Sequence, residues 1–128
     1  MNELLSTELW PRLKALAKQA KKKHAAIAYV TDDTKVRFGK GDVLVTDASD
    51  EAIKSGQTSA VVLKAAFERK AVIYSVPGLH AKVFVFDKYA VIGSANLSMH
   101  SEQLVEAALL TDQPTAVSSA RLFIEQLK

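Results

Sequence analysis

Between Pro77 and Asn96 the chain reads PGLHAKVFVFDKYAVIGSAN, and this stretch holds its most orderly polar chemistry. His80, Lys82 and Asp87 are followed by Gly93, Ser94 and Asn96, all set in apolar, strand-like sequence. Along a strand alternate side chains share a face, so His80 and Lys82 point the same way. Phe84 and Phe86 continue that face inward, while Ala81, Val83 and Val85 bury the other. A hairpin through Asp87-Lys88 returns Ser94 and Asn96 to the His80 end and leaves Asp87 at the far turn. An imidazole, an ammonium, a hydroxyl and a carboxamide therefore converge.

That set suits a phosphodiester. Lys82, Ser94 and Asn96 can hold the non-bridging oxygens, and neutral His80 can act as nucleophile or base. With those donors carrying the charge, the chemistry requires no metal and no cofactor. A lone histidine at a strand end is more often structural than catalytic, so the weight rests on the combination. With three His, 13 Lys and seven Asp in 128 residues, an H-x-K-x4-D spacing is expected by chance about 0.02 times.

The elements that must position these groups can be read in order. Residues 8–23 have the spacing of an amphipathic helix: Leu9, Leu13, Leu16, Ala17 and Ala20 on one side, lysines on the other, Thr7 as N-cap. The run Lys21–Lys23 suits the negative end of that helix. Buried strands are expected at residues 25–30 and 42–47, and a short helix between Ser49 and Gly56. A further helix is expected over 59–71, with Val62, Leu63, Ala66 and Phe67 facing inward. Strands follow at 72–76, 80–86, 89–93 and within 103–111, and the chain closes on a helix over 116–128. That order predicts an α/β fold, a mixed β-sheet flanked by helices, in a single domain spanning 1–128.

Composition narrows the setting. The chain is 48% hydrophobic and 24% charged, as a soluble globular protein is. It has no apolar run long enough for a membrane helix and no signal-peptide layout. Its lack of cysteine removes disulfides and thiolate zinc sites and points to a cytoplasmic location. His24, His80 and His100 show no metal-ligand spacing. The net charge of +3 is uneven: residues 1–40 carry nine Lys or Arg against four Asp or Glu, and the remainder carries eight against ten. A basic segment points weakly to a polyanionic partner, and a solvated helix face explains it as well. His24 is expected to be exposed, His100 to lie on the surface after the motif loop, and Trp10 and Tyr29 to be core or interface residues.

The stretch resembles the signature of the phospholipase D superfamily, H-x-K-x4-D followed by G-S-x-N, through His80, Lys82, Asp87, Gly93, Ser94 and Asn96. The match covers roughly residues 71–112, with five residues between Asp87 and Gly93 where six are common. The resemblance implies a phospholipase D-like domain in which one histidine attacks phosphorus and a second protonates the leaving oxygen. It also implies an acidic residue that orients the nucleophile; Glu106 is the candidate by position and Glu102 the alternative. Asp87 is more a support than a reactant.

Only one such motif is present, because His24 and His100 are not followed by lysine two residues on. A complete site then needs a homodimer across His80, or a longer chain of which this is one half. Small size, one motif and a basic N-terminal segment look most like the single-motif bacterial nucleases. The expectation is a metal-independent nuclease acting on DNA or RNA. The alternatives are phospholipid hydrolysis or phosphatidyl transfer, and a non-catalytic nucleic-acid-binding module of a larger protein.

Overall fold

The computed structural model describes all 128 residues. They form one mixed seven-stranded sheet with helices on both faces. The strands are β1 (Asn2–Leu5), β2 (Lys23–Ile27), β3 (Val43–Thr46), β4 (Val72–Ser75), β5 (Lys82–Phe86), β6 (Tyr89–Gly93) and β7 (Ala108–Thr111). Their spatial order is β1-β7-β6-β5-β2-β3-β4. β2, β3 and β4 run parallel, while β5, β6, β7 and β1 are added antiparallel. The helices are α1 (Leu9–Gln19), α2 (Asp50–Lys54), α3 (Ala60–Glu68), α4 (Met99–Glu102) and α5 (Pro114–Gln126).

The alternation read for residues 80–86 divides the core. Phe84 and Phe86, stacked with ring centroids 5.6 Å apart, face α1 and α3 and join Leu9, Leu13, Leu63 and Ala66. Val85 faces the other way, with Val43, Val45 and Ala90, under Val117, Ala120 and Ile124 of α5. The helix starts follow capping chemistry: Ser49 and Ser59 accept from Ala52 N and Val62 N and open α2 and α3. Gly56, at φ +82°, turns the chain after α2.

Several boundaries differ from the sequence expectation. β1 was not anticipated: four residues make an edge strand on β7, where Leu5 is fully buried and Leu4 faces outward. So short a piece carries too little periodicity to reveal itself. α1 stops at Gln19, short of the lysine run, because Ala20 turns extended and the amides of Lys21 and Lys22 are taken by the Asp87 carboxylate. Its N-cap is Glu8 with no side-chain cap bond, not Thr7. Phe67 is exposed, since only Leu63 and Ala66 of α3 reach the core fully. His24 is half-buried, not exposed, and its Nδ1 has no hydrogen-bond partner. The segment 103–111 is a strand only from Ala108, and the loop before it forms the short α4.

Candidate active site

A cleft of about 1030 Å³ opens at the end of the sheet where β2 and β3 finish and β5 begins. Carboxyl ends of parallel strands are the usual ligand-binding edge of an open α/β sheet. His80, Lys82, Ser94, Asn96 and Glu106 all line it. Asp87 does not: it sits in the β5–β6 turn at the opposite end of the sheet.

His80 precedes β5 and is exposed, so its direction comes from the preceding turn and not from strand alternation. Two contacts fix that turn. The Asp47 carboxylate, at the end of β3, accepts from Gly78 N at 3.1 Å and from Ser49 N at 3.0 Å. Bonds from Ser49 and Gly78 hold this carboxyl below the usual aspartate range. On the other flank, Lys82 Nζ donates to the His80 carbonyl at 2.9 Å. Gly78 itself takes φ +82°, a conformation that favours glycine. Asp47 escaped sequence reading because a carboxylate ending a strand has no spacing relation to His80.

Lys82 opens β5 with its stem half-buried. Desolvation pulls its ammonium below the ordinary lysine value, and the Glu106 charge partly restores it. Glu106 accepts from Ser94 Oγ at 2.9 Å, and Ser94 Oγ in turn accepts from Ala107 N at 3.2 Å. The Ser94 hydroxyl is thus tied to Glu106. Glu102, the alternative acid, is paired with Lys35 at 3.0 Å and lies outside the cleft lining.

Asn96 is oriented by the backbone. Its Oδ1 accepts from Tyr29 N at 3.1 Å, and its own N–H donates to Ser101 Oγ at 3.0 Å. With the carbonyl side committed to β2's exit, the carboxamide NH2 is left as the donor end toward the cleft. Gly93 is required by close approach: a Cβ there would overlap the Ala107 carbonyl oxygen and fall 2.5 Å from Ala108 Cβ. This lets β7 close against β6 and places Ser94 beside Glu106.

Asp87 has a structural occupation. Its two carboxylate oxygens accept from Lys21 N at 3.0 Å and Lys22 N at 3.1 Å, which binds the hairpin turn to the link between α1 and β2. Its φ of +53° lies in the left-handed region that aspartate tolerates. His100, expected on the surface, is exposed and also lines the cleft. No group of three or more His, Asp or Glu side chains is arranged to hold a metal ion.

Over residues 5–128 the chain matches the family described as "Cardiolipin synthase, PLD-like domain". No curated protein sequence matches it. Among solved structures, NucT from Helicobacter pylori superposes with a TM-score of 0.73 at 18% identity, covering 99% of this chain and 94% of that one. The phospholipase D family member Nuc from Salmonella typhimurium gives 0.75 at 13% identity, covering 99% and 93%. TrmBL2, an archaeal chromatin protein, gives 0.61 at 8% identity, covering 98% of this chain and 52% of that one. At these identities the superpositions establish the fold, which is the phospholipase D-like one expected from the motif.

Proposed function

The chain belongs to the phospholipase D-like family, and from that premise we propose that it is a metal-independent phosphodiesterase that cleaves nucleic acid in a homodimeric site. The observation that carries this reading is the gathering of His80, Lys82, Asn96 and Glu106 in one cleft, with the lysine desolvated and the carboxamide aimed by backbone bonds. The single motif, the basic N-terminal segment and the likeness to Nuc and NucT support the nuclease reading over the lipase one.

In the proposed reaction an imidazole nitrogen of His80 attacks phosphorus. The P–N bond forms as the P–O bond to the leaving oxygen breaks, and His80 of the second copy gives that oxygen its proton. Water then attacks the phosphohistidine, yields its proton to the second histidine, and the P–N bond breaks. Lys82 and the Asn96 amide donate to the non-bridging oxygens throughout, where charge builds up in the transition state. Ser94 acts through Glu106, which keeps the Lys82 ammonium charged. The two histidines need opposite protonation states, which gives a bell-shaped pH–rate profile belonging to the pair.

One apolar row supports the second copy. Leu4, Leu109 and Ile92 are directly opposed across β1, β7 and β6, and their exposures are 72%, 40% and 39%. They lie on the face that α5 packs against chiefly over β2, β5 and β6, and Ile92 also lines the cleft. An uncovered apolar row running from a half-site to a sheet edge is the surface a two-fold partner would cover.

A phospholipid substrate is the second reading, favoured by the apolar cleft wall of Val83, Ile92, Leu104 and Phe123. No helix is long and apolar enough to cross a membrane. The deciding experiment incubates the protein with end-labelled single-stranded DNA in EDTA, with phosphatidylglycerol vesicles in parallel. Cleavage in EDTA with an acid-labile, alkali-stable phosphate adduct on His80 is expected. Loss of all cleavage in EDTA contradicts the mechanism, and turnover of lipid alone contradicts the substrate.

A further inference from the structure

The end of the sheet opposite the cleft carries a concentration of cations that the catalytic reading does not use. The run Lys21–Lys23 sits there, in the link between α1 and β2, and it borders two hollows. One, of about 270 Å³, is lined by Lys22, His24, Val85, Asp87 and Arg121. The other, of about 390 Å³, is lined by Lys21, Lys23, Arg37, Lys40 and Arg69, among others.

These cations differ in what occupies them. Lys23 is paired with Asp42 at 3.2 Å and Arg69 with Asp33 at 3.2 Å. Lys21, Lys22, Arg37 and Lys40 take part in no ion pair and are exposed. Arg121 donates one nitrogen to the Asp87 carbonyl at 2.7 Å, which fixes the guanidinium at the rim and leaves its other donors outward. The one carboxylate in the first hollow, Asp87, spends its oxygens on the amides of Lys21 and Lys22 and forms no ion pair with Lys22 or Arg121, so two cations face a single anion there. His24, half-buried, lines the same hollow. With cations outnumbering carboxylates in both hollows, this end of the sheet fits an anion.

We propose that this pole is a second nucleic-acid contact, separate from the cleft, in which the Lys22–His24–Arg121 hollow takes a backbone phosphate and the Lys21–Arg37–Lys40 hollow takes another. It rests on the proposed nucleic-acid substrate for the identity of the polyanion. The run from His80 to Asp87 sets the two sites about 20 Å apart at ~3.3 Å per strand residue. A dinucleotide is too short to touch both, whereas a strand of tens of nucleotides can. The pole would then hold long substrates on the protein without contributing to the chemical step, and short diesters would be turned over without its help.

His24 supplies an internal reporter. Burial holds its pKa below the usual histidine value, helped by Lys128, just beyond α5, and by Arg121 of α5. Glu125 of α5 and Asp42 before β3 oppose that shift, and Lys22 and Asp87 complete the charged surroundings. A phosphate in the hollow adds negative charge beside the ring, so binding must raise the His24 pKa and take up proton.

The test measures anisotropy of a fluorescein-labelled 30-nucleotide single strand against salt in an inactive His80→Asn background, alone and combined with Lys22→Gln, Lys40→Gln or Arg121→Gln. Each removed phosphate contact is expected to weaken binding roughly threefold at low salt and lower the salt slope by about 0.7. With His80 intact, the same three substitutions should leave hydrolysis of a small chromogenic diester at the wild-type rate. NMR titration of His24 should show its pKa rising when the strand is present. Lys22→Gln and Lys40→Gln replace exposed side chains, so they report even if Arg121→Gln disturbs the hairpin turn. Unchanged affinity and slope in these two variants, or a His24 titration indifferent to the strand, overturns the proposal. Loss of binding to phosphatidylglycerol vesicles with unchanged oligonucleotide affinity overturns it in favour of an anionic membrane. Because binding is read without turnover, a protein that never cleaves DNA sinks the nuclease reading and leaves this test intact.

Discussion

Replacing Asp87 separates support from chemistry. The aspartate accepts two backbone N–H bonds, from Lys21 at 3.0 Å and Lys22 at 3.1 Å, and does so at φ +53°. Asp87→Asn keeps a residue that tolerates this conformation and retains one acceptor oxygen; it should lose about 1 kcal/mol. Asp87→Gly loses both bonds and relieves the backbone, for about 1–2 kcal/mol, and glycine's extra unfolded-state freedom is included in that range. Asp87→Ala loses both bonds and places a Cβ in the left-handed region, for about 2–4 kcal/mol. These values are discounted from those of buried charged bonds because Asp87 is exposed. Against a usual stability of roughly 5–15 kcal/mol, the variants should remain folded at 25 °C. Urea denaturation should therefore rank wild type above Asn, Asn above Gly and Gly above Ala, with kcat per folded protein within about twofold throughout. An Asp87→Asn protein with wild-type stability and kcat reduced a hundredfold would refute the reasoning and put the carboxylate in the reaction.

Other expectations follow from the same contacts. Gly93→Ala forces a Cβ onto the Ala107 carbonyl and Ala108; urea denaturation should show a loss of about 2–4 kcal/mol, because backbone and not a flexible side chain must move. Lys82 is needed charged and desolvation already depresses its pKa, so a second loss of activity should follow, at higher pH, the one that the histidine pair imposes. Glu106→Gln removes the one charge that raises that pKa, and the Lys82 ammonium, followed by NMR, should titrate at lower pH in that variant; a shift to higher pH contradicts the assignment. Leu109→Lys puts a charge in the centre of the exposed Leu4–Leu109–Ile92 row. Sedimentation equilibrium should then give a monomer with unchanged circular dichroism.

What could be read from the sequence, and what could not, divides along physical lines. The β5–β6 hairpin was legible because both strands alternate cleanly and a two-residue link leaves no other geometry. The two core faces on Phe84/Phe86 and Val85 followed from the same period. The helix start at Ser49 was legible through its hydroxyl, whereas α1 ended early because a carboxylate from a turn 65 residues away captured the Lys22 amide. Long-range capture of that kind has no local signature. For the same reason the motif gathered His80, Lys82, Ser94 and Asn96 correctly into one cleft, yet gave no hint of Asp47 under the Gly78 turn or of Ser94's bond to Glu106. Nor does spacing show that Glu102 pairs with Lys35 while Glu106 lines the cleft.

The central claim is that one chain holds half a site and a second copy completes it. Wild-type protein and His80→Asn, unfolded together and refolded at equal concentrations, test this directly. If every productive site needs His80 from both copies, mixed dimers are inactive and about one quarter of the activity of an equal total of wild type remains. If each chain works alone, about one half remains, and that result would contradict the account.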